Sequence, residues 1–319
     1  MPDRETRIIR RVAVREAGRR LVDILREWLR ERLSDEVPMA RVRALVAAGG
    51  VRVDGDVVRA PGRPMRRGEH VEALLDPEQL RARARLVDRP FELTAERILF
   101  QDGYVLAVDK PPGLPTHATA DPSRPSLVSH VERFLGRAPR GAPTVLAVHQ
   151  RLDRDTSGVV IFGLDPRANA GLARAFADHL VEKAYLAITR RPARLESRRF
   201  RVSAPLGPAT AGRPSVRIGG PDAQRAATDV LVREILDGAL LVEVHPLTGR
   251  RHQVRVHLAH AGCPIVGDPT YGHADSRVSR LMLHAWRLAL PHPVTGEPLR
   301  LEAPIPPDFV AAVHSFRNE

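Results

Sequence analysis

Apolar residues recur at helical spacing between Arg19 and Leu33, where Leu21, Ile24, Leu25 and Trp28 are separated by arginines and acids. A second, shorter pattern with Val42, Leu45 and Val46 predicts a helix over Met39 to Ala48, ended by Gly49-Gly50. The pattern then changes period. Val51-Arg52-Val53 alternates as a strand, Asp54-Gly55-Asp56 supplies a hairpin turn, Val57-Val58 resumes, and His70 to Leu74 follows two further turns. Residues 77 to 92 are rich in Arg and Pro and read as a linker. Beyond it come short apolar runs broken by Pro and Gly: Ile98 to Phe100, Tyr104 to Val108, Val145 to Val148, Val159 to Phe162, Ala184 to Ile188, Leu240 to Val244 and Leu288 to Leu290. Helices are expected at Leu127 to Leu135, at Pro166 to His179 with Asp165 as N-cap, and at Arg251 to His260, stopped by Gly262 and Pro264. This irregular mixture predicts an α+β domain behind a small helix-helix-hairpin unit. No internal repeat and no glycine-rich phosphate loop is present.

Composition narrows the class. With 43% hydrophobic and 28% charged residues the chain can bury a core. No apolar run approaches the length of about eighteen residues that a membrane helix needs, and the first residues lack an apolar signal core. One cysteine, Cys263, excludes an intramolecular disulfide and a cysteine-based zinc cluster. A cytoplasmic monomer is the expectation. Only Lys110 and Lys183 are lysines, so 48 of the 50 basic residues are arginine, a bias most simply ascribed to background usage. The net charge of +12 is a different matter, because exchanging Lys for Arg leaves it unchanged; it points to a polyanion such as nucleic acid. Residues 1 to 90 hold 21 Arg and 15 acids, a net +6, so half the surplus lies in under a third of the chain. The N-terminal unit is therefore the better candidate for RNA binding.

The densest polar segment is His149 to Gly158, between two apolar runs, where a loop at a sheet edge would present side chains on a rigid scaffold. Arg151 and Arg154 flank Asp153 in sequence, and their cations would favour an ionised carboxylate suited to act as nucleophile or base. A charged surface hairpin is the plain alternative.

The segment Arg151 to Gly158, "RLDRDTSG", resembles the signature of the RluA-type pseudouridine synthases, and the likeness extends well past it. "ILFQDGYVLAVDKPPGLPTH" from Ile98, "EKAYLAI" from Glu182, "PLTGRRHQVRVHLAHAGCPIVGDPTYG" from Pro246 and "LHAWRLALPHPVTGE" from Leu283 are similar to further motifs of that family and stand in its order, over about residues 96 to 308. Ahead of them, residues 1 to 77 resemble an S4 RNA-binding domain, with Ser34 as a cap candidate. The resemblance implies three segments: 1–77 S4-like, 78–95 linker and 96–319 catalytic. It implies an α+β pseudouridine synthase fold with a mixed, largely antiparallel sheet, and it implies the isomerisation of uridine in structured RNA. Large-subunit ribosomal RNA is favoured over tRNA, and no cofactor or metal is expected.

By matching position, Asp153 would be the catalytic aspartate, Tyr185 would stack on the target base, and Arg255 would pair with Asp153. Arg151, Lys183 and His252 would contact the substrate, while Arg41, Arg43 and Arg52 would track an RNA backbone. One departure is visible: the family usually has His directly before Arg-Leu-Asp, whereas Gln150 intervenes here. It puts the role of His149 in question and leaves Arg151 to Gly158 in register. Three other readings are weaker. The histidines at 245, 252, 257 and 260 lack an acid cluster for a metal, and Asp153 with Asp155 is badly spaced for a two-carboxylate glycosidase. A non-catalytic RNA-binding factor would not need an aspartate inside an RNA groove.

Overall fold

The structure is a computed structural model that describes residues 6–33, 37, 39–47, 50–58, 60–75, 91–118, 125–136, 146–208, 216–272 and 275–317. Ser34, Val145 and most of the expected linker lie outside the described residues. The chain forms two compact units, 1–89 and 90–319.

In the first unit β1 (Thr6–Arg11), β2 (Val51–Val53), β3 (Asp56–Val57) and β4 (His70–Leu75) form an antiparallel sheet in the order β1-β4-β2-β3. Helices α1 (Leu21–Leu33) and α2 (Met39–Ala47) belong to the same core. The helical spacing has a direct physical consequence: Leu21, Ile24, Leu25 and Trp28 are all buried, together with Val42, Val46, Val51, Val53, Val71 and Ala73. The Trp28 indole N–H needs an acceptor once buried and donates to Glu16 Oε1 at 2.9 Å. Strand β1 is absent from the sequence reading. Its apolar pair Ile8-Ile9 is flanked by arginines, and its pairing with β4, Ile8 opposite Ala73, is what defines it.

The second unit is built on one large sheet. Its strands are β5 (Ile98–Gln101), β6 (Val105–Lys110), β7 (Ala147–Val148), β8 (Ser157–Gly163), β9 (Glu182–Arg190) and β10 (Arg199–Ser203). A small separate hairpin, β11 (Leu206–Pro208) and β12 (Val216–Ile218), precedes β13 (Ala227–Ile235), β14 (Ala239–Pro246), β15 (Leu283–Pro291) and β16 (Pro298–Glu302). The sheet order is β10-β13-β14-β9-β15-β8-β6-β5, with β16 on β15 and β7 on β8. Every pairing among the described residues is antiparallel except β15 with β8. The fold class is thus the expected mixed, largely antiparallel α+β arrangement. Helices α3 (Leu127–Phe134), α4 (Pro166–Ala177), α5 (Gln253–His260) and α6 (Pro307–Ser315) complete the unit. Asp165 caps α4 by accepting from the Arg167 N–H at 2.8 Å. That helix stops two residues before the expected end, because His179 adopts a left-handed conformation at φ +58°.

The strand expected at Leu288 to Leu290 is the end of a nine-residue strand, β15, that begins at Leu283. Its first half reads poorly in isolation because His284 and Arg287 interrupt the apolar run, yet it lies between β9 and β8. Strand β13 and helix α6 escaped the sequence reading. In β13, Thr228, Val230 and Val232 alternate inward while Asp229, Leu231 and Arg233 face the other side. Helix α6 starts at Pro306-Pro307 and buries Phe309, Ala312 and Val313 in the main core, where Phe316 is also buried. Each such phenylalanine contributes roughly 1.5–3 kcal/mol by burial. Among the described residues no helix is long and apolar enough to cross a membrane.

Candidate active site

The loop between β7 and β8 carries the aspartate, and the sheet holds it from both ends. On one side, Gly158 at the start of β8 lies level with Ala285 of β15, and Ala285 lies level with Tyr185 of β9. Gly158 has φ +117°, and a Cβ there would stand 2.1 Å from the Ala285 carbonyl oxygen, so only glycine allows the two strands to approach this closely. On the other side, the turn after β6 clasps the loop. Lys110 is completely buried and its ammonium donates to the carbonyls of Pro111 (2.9 Å), Leu114 (2.8 Å) and Arg154 (3.0 Å). Gly113 N–H donates to the same Arg154 carbonyl at 2.9 Å, and Thr116 Oγ1 donates to the Leu152 carbonyl at 2.9 Å. Leu152 is buried as an anchor, which leaves Asp153 partly exposed beside it, with a side chain 27% accessible.

Asp153 does not pair with its neighbours in sequence. Arg154 turns to Asp155 in a bidentate contact (2.9 and 2.9 Å), and Arg151 is exposed. The cation on Asp153 comes from 102 residues away: Arg255 Nη1 donates to Asp153 Oδ2 at 2.7 Å. This is the pairing that the family resemblance implies, and it replaces the local one in which Arg151 and Arg154 would hold the carboxylate. Adjacent residues in a tight turn point apart, whereas α5 projects Arg255 straight at the loop.

Arg255 is itself buried and its remaining donors grip Asp268, which has no exposed surface, through Nε and Nη2 at 2.8 Å each. Burial opposes the guanidinium charge, but Asp268 and Asp153 outweigh it and raise its pKa above the ordinary value. Asp268 feels a burial penalty too, and Arg255 with the Thr270 and Tyr271 N–H groups keeps its carboxyl below the ordinary range. The fork geometry of arginine permits this double engagement; a lysine could not reproduce it.

His252 precedes α5 and borders the same carboxylate, its Nε2 lying 3.7 Å from Asp153 Oδ1. Burial lowers its pKa, so the ring is neutral near pH 7. Tyr185 is half-buried between two core clusters, and burial together with the Asp153 charge pushes its phenol well above the usual value. It is therefore a protonated aromatic wall beside the aspartate.

The structure brings Asp153, Arg255, His252 and Tyr185 together. Lys183 lies two residues along β9 from Tyr185, with its ammonium 5.4 Å from the centroid of Phe176, and burial lowers its pKa. Arg43 on α2 and Arg52 on β2 are exposed on the N-terminal unit, and the Arg41 side chain lies outside the described residues. The inserted Gln150 donates its amide to the Val159 carbonyl at 2.8 Å, while His149 stacks on Phe176 with centroids 6.3 Å apart. The extra residue is thus absorbed before the loop. His257 is a core histidine, set between Thr228 Oγ1 (2.8 Å) and the Ala204 carbonyl (2.9 Å). Asp268 and Tyr271 were missed as individual site residues, although both stand in the Gly-Asp-x-x-Tyr-Gly segment.

A partly exposed carboxylate on the loop before β8, tied to a buried arginine and walled by a tyrosine, is suited to nucleophilic or general-base chemistry. The comparisons with known proteins agree. The family model described as RNA pseudouridylate synthase matches residues 104–260. The chain is 33% identical over 330 residues to ribosomal large subunit pseudouridine synthase D of Xanthomonas campestris pv. campestris, covering 95% of this chain and 90% of that one. It is 32% identical to ribosomal large subunit pseudouridine synthase C of Escherichia coli (strain K12), with 98% of each covered. The solved structure of human RNA pseudouridylate synthase domain containing 4 superposes with a TM-score of 0.56 at 25% identity, over 76% of this chain and 98% of that one. Human RNA pseudouridylate synthase domain containing 1 gives 0.53 at 28% identity, over 68% and 87%. The chain belongs to the RluA-type RNA pseudouridine synthases and is an isomerase of uridine in RNA.

Proposed function

We propose that this enzyme converts uridine to pseudouridine in large-subunit ribosomal RNA, with Asp153 as the catalytic carboxylate, working as a monomer in the cytoplasm. The observation that carries the reading is Asp153 itself: a partly exposed carboxylate whose counter-charge is a buried arginine locked in turn on Asp268. The names of the relatives support the ribosomal substrate.

In the reaction the N1–C1′ bond of uridine breaks, the base turns while bound, and a C5–C1′ bond forms. The C5 proton leaves to solvent and N1 regains one, so no redox partner is needed. Asp153 assists departure of the base from C1′. Arg255 orients the carboxylate, and Tyr185 stacks on the base that has left the helix, since the glycosidic bond cannot be reached inside a stack. Arg151, exposed next to the loop, holds the opened strand, and Lys183 and His252 contact the nucleotide. The N-terminal unit acts as an S4-like RNA-binding domain through Arg41, Arg43 and Arg52, spending its charge on phosphates.

Release of tritium from C5-labelled uridine in a large-subunit rRNA transcript tests this. Wild-type protein is expected to release it, and Asp153→Asn to release none while still binding. Activity retained in Asp153→Asn, or none in the wild type on bound rRNA, defeats the reading. Deleting residues 1–77 is expected to weaken rRNA binding and flatten its salt dependence.

A further inference from the structure

His252 has an unusual backbone: φ +53° and ψ +16°, the left-handed region, at the N-cap of α5 and with no capping hydrogen bond from its side chain. A non-glycine residue held there needs its surroundings to hold it. Here the side chain is committed elsewhere. Its Nδ1 lies 2.8 Å from the Tyr271 hydroxyl, and the rings meet edge to face with centroids 5.7 Å apart.

Tyr271 is fixed on three sides. Its backbone N–H donates to Asp268 Oδ1 at 3.1 Å, the Arg255 guanidinium stands over its ring at 5.1 Å, and its hydroxyl oxygen accepts the Val216 N–H of β12 at 2.8 Å. The last contact, together with the Asp153 carboxylate beside Nε2, favours one proton arrangement. The phenol oxygen already accepts from Val216, so its own proton has Nδ1 of His252 as acceptor. Burial keeps this phenol protonated and His252 neutral. If Nδ1 carried the hydrogen instead, the tyrosine proton would have no acceptor among the described residues. The neutral imidazole therefore carries its hydrogen on Nε2, the nitrogen that faces Asp153. At 3.7 Å from Oδ1 that N–H is beyond hydrogen-bond range of the carboxylate, yet beside it.

We propose that Tyr271 is a positioning residue that locks His252 as the Nε2–H tautomer, and that this N–H donates a hydrogen bond to an oxygen of the target nucleotide next to Asp153. The proposal rests on the reading of Asp153 as the catalytic carboxylate. It also ties the β11–β12 hairpin to the active site, through the Val216 N–H, Tyr271 and His252 in series.

The test is read on the full-length protein labelled with nitrogen-15 in histidine, with the His252 ring signals assigned by their loss in His252→Ala. In the wild type at neutral pH, Nε2 is expected to be protonated and Nδ1 bare. Tyr271→Phe removes both the bond to His252 Nδ1 and the acceptor of the Val216 N–H; it is expected to mix the tautomers and, through the lost bond to His252, to slow single-turnover tritium release by about three- to tenfold, with RNA affinity unchanged. In the His252→Ala background, Tyr271→Phe is expected to add nothing. An Nδ1–H or doubly protonated ring in the wild type overturns the proposal, and this holds even if Tyr271→Phe folds poorly. So do an unchanged tautomer in Tyr271→Phe and additive rate losses in the double variant. Asp153→Asn separates the two readings. If it is inactive and the wild-type ring carries Nδ1–H, only the tautomer proposal fails; if it is active, the catalytic reading of Asp153 fails and the proposal with it.

Discussion

Replacing Lys110 with methionine removes the ammonium that clamps the aspartate loop while nearly conserving the stem. Its three acceptors are affected unequally. The Leu114 carbonyl is buried and loses its donor outright, the Pro111 carbonyl lies in a partly buried contact, and the Arg154 carbonyl keeps the Gly113 N–H. One stranded buried acceptor costs about 1–3 kcal/mol and the other two contacts about 1 kcal/mol between them. That makes a gross loss of about 2–4 kcal/mol, and relief from burying a charged head offsets part of it, so the net loss is about 1–3 kcal/mol. In a unit of this size that is a Tm lower by about 2 to 12 °C. The pH dependence has a definite sign. Burial pushes the lysine pKa from 10.5 down to about 7, so between those values the unfolded chain binds a proton that the folded chain lacks, and the folded amine shares two N–H donors among its three carbonyls. The contribution of Lys110 is complete above 10.5 and is lost as pH falls toward 7. The wild type's margin over Lys110→Met should therefore widen from pH 7 to pH 9. Urea unfolding at several pH values measures the margin, and single-turnover tritium release measures how far Asp153 has slackened. A midpoint within error of the wild type, or a margin that narrows as pH rises, refutes the reasoning.

Gly158→Ala should destabilise the protein by about 3 kcal/mol or more, because a Cβ 2.1 Å from the Ala285 carbonyl forces β8 and β15 apart; an unchanged urea midpoint would contradict that close approach. Asp268→Asn removes the buried partner of Arg255 and should cost about 3–5 kcal/mol at neutral pH. Burial opposes ionisation of Asp268, yet Arg255 lowers its pKa below 3.8; the wild-type advantage is complete above 3.8 and disappears as pH falls through the folded value, which acid titration of both proteins can follow. Lys183→Arg replaces a compact ammonium, 5.4 Å from the Phe176 ring and beside Gly249, with a broad guanidinium, and should reduce tritium release by roughly three- to tenfold. Full activity would show that a guanidinium serves at this position as well as an ammonium.

Periodicity alone was enough for elements whose burial is local. The Leu21, Ile24, Leu25 and Trp28 stripe, the cap at Asp165 and the stop at Gly262 each depend on neighbours a few residues away, and each stands where the sequence places it. Motif order likewise made Asp153, Tyr185 and Arg255 legible as residue types in a family pattern. Without the family pattern, the local charges around Asp153 point to the wrong partners. Arg151 and Arg154 are the cations nearest to Asp153 in sequence, yet Arg154 serves Asp155 and Arg151 stays exposed; Arg255 arrives from α5, 102 residues on. Electrostatic partners are chosen by side-chain direction and distance in space, and a turn of two residues sends adjacent side chains apart. For the same reason β13, α6 and the first half of β15 emerged only with the fold, since polar residues hide their period and pairing across the sheet supplies the definition. Sequence determined the family and the segment that carries Asp153. Tertiary structure decided that Asp268 and Tyr271 belong to the site, that Lys110 is a buried clamp, and that Arg255 has two carboxylates to hold, because each of those facts is a distance between residues far apart along the chain.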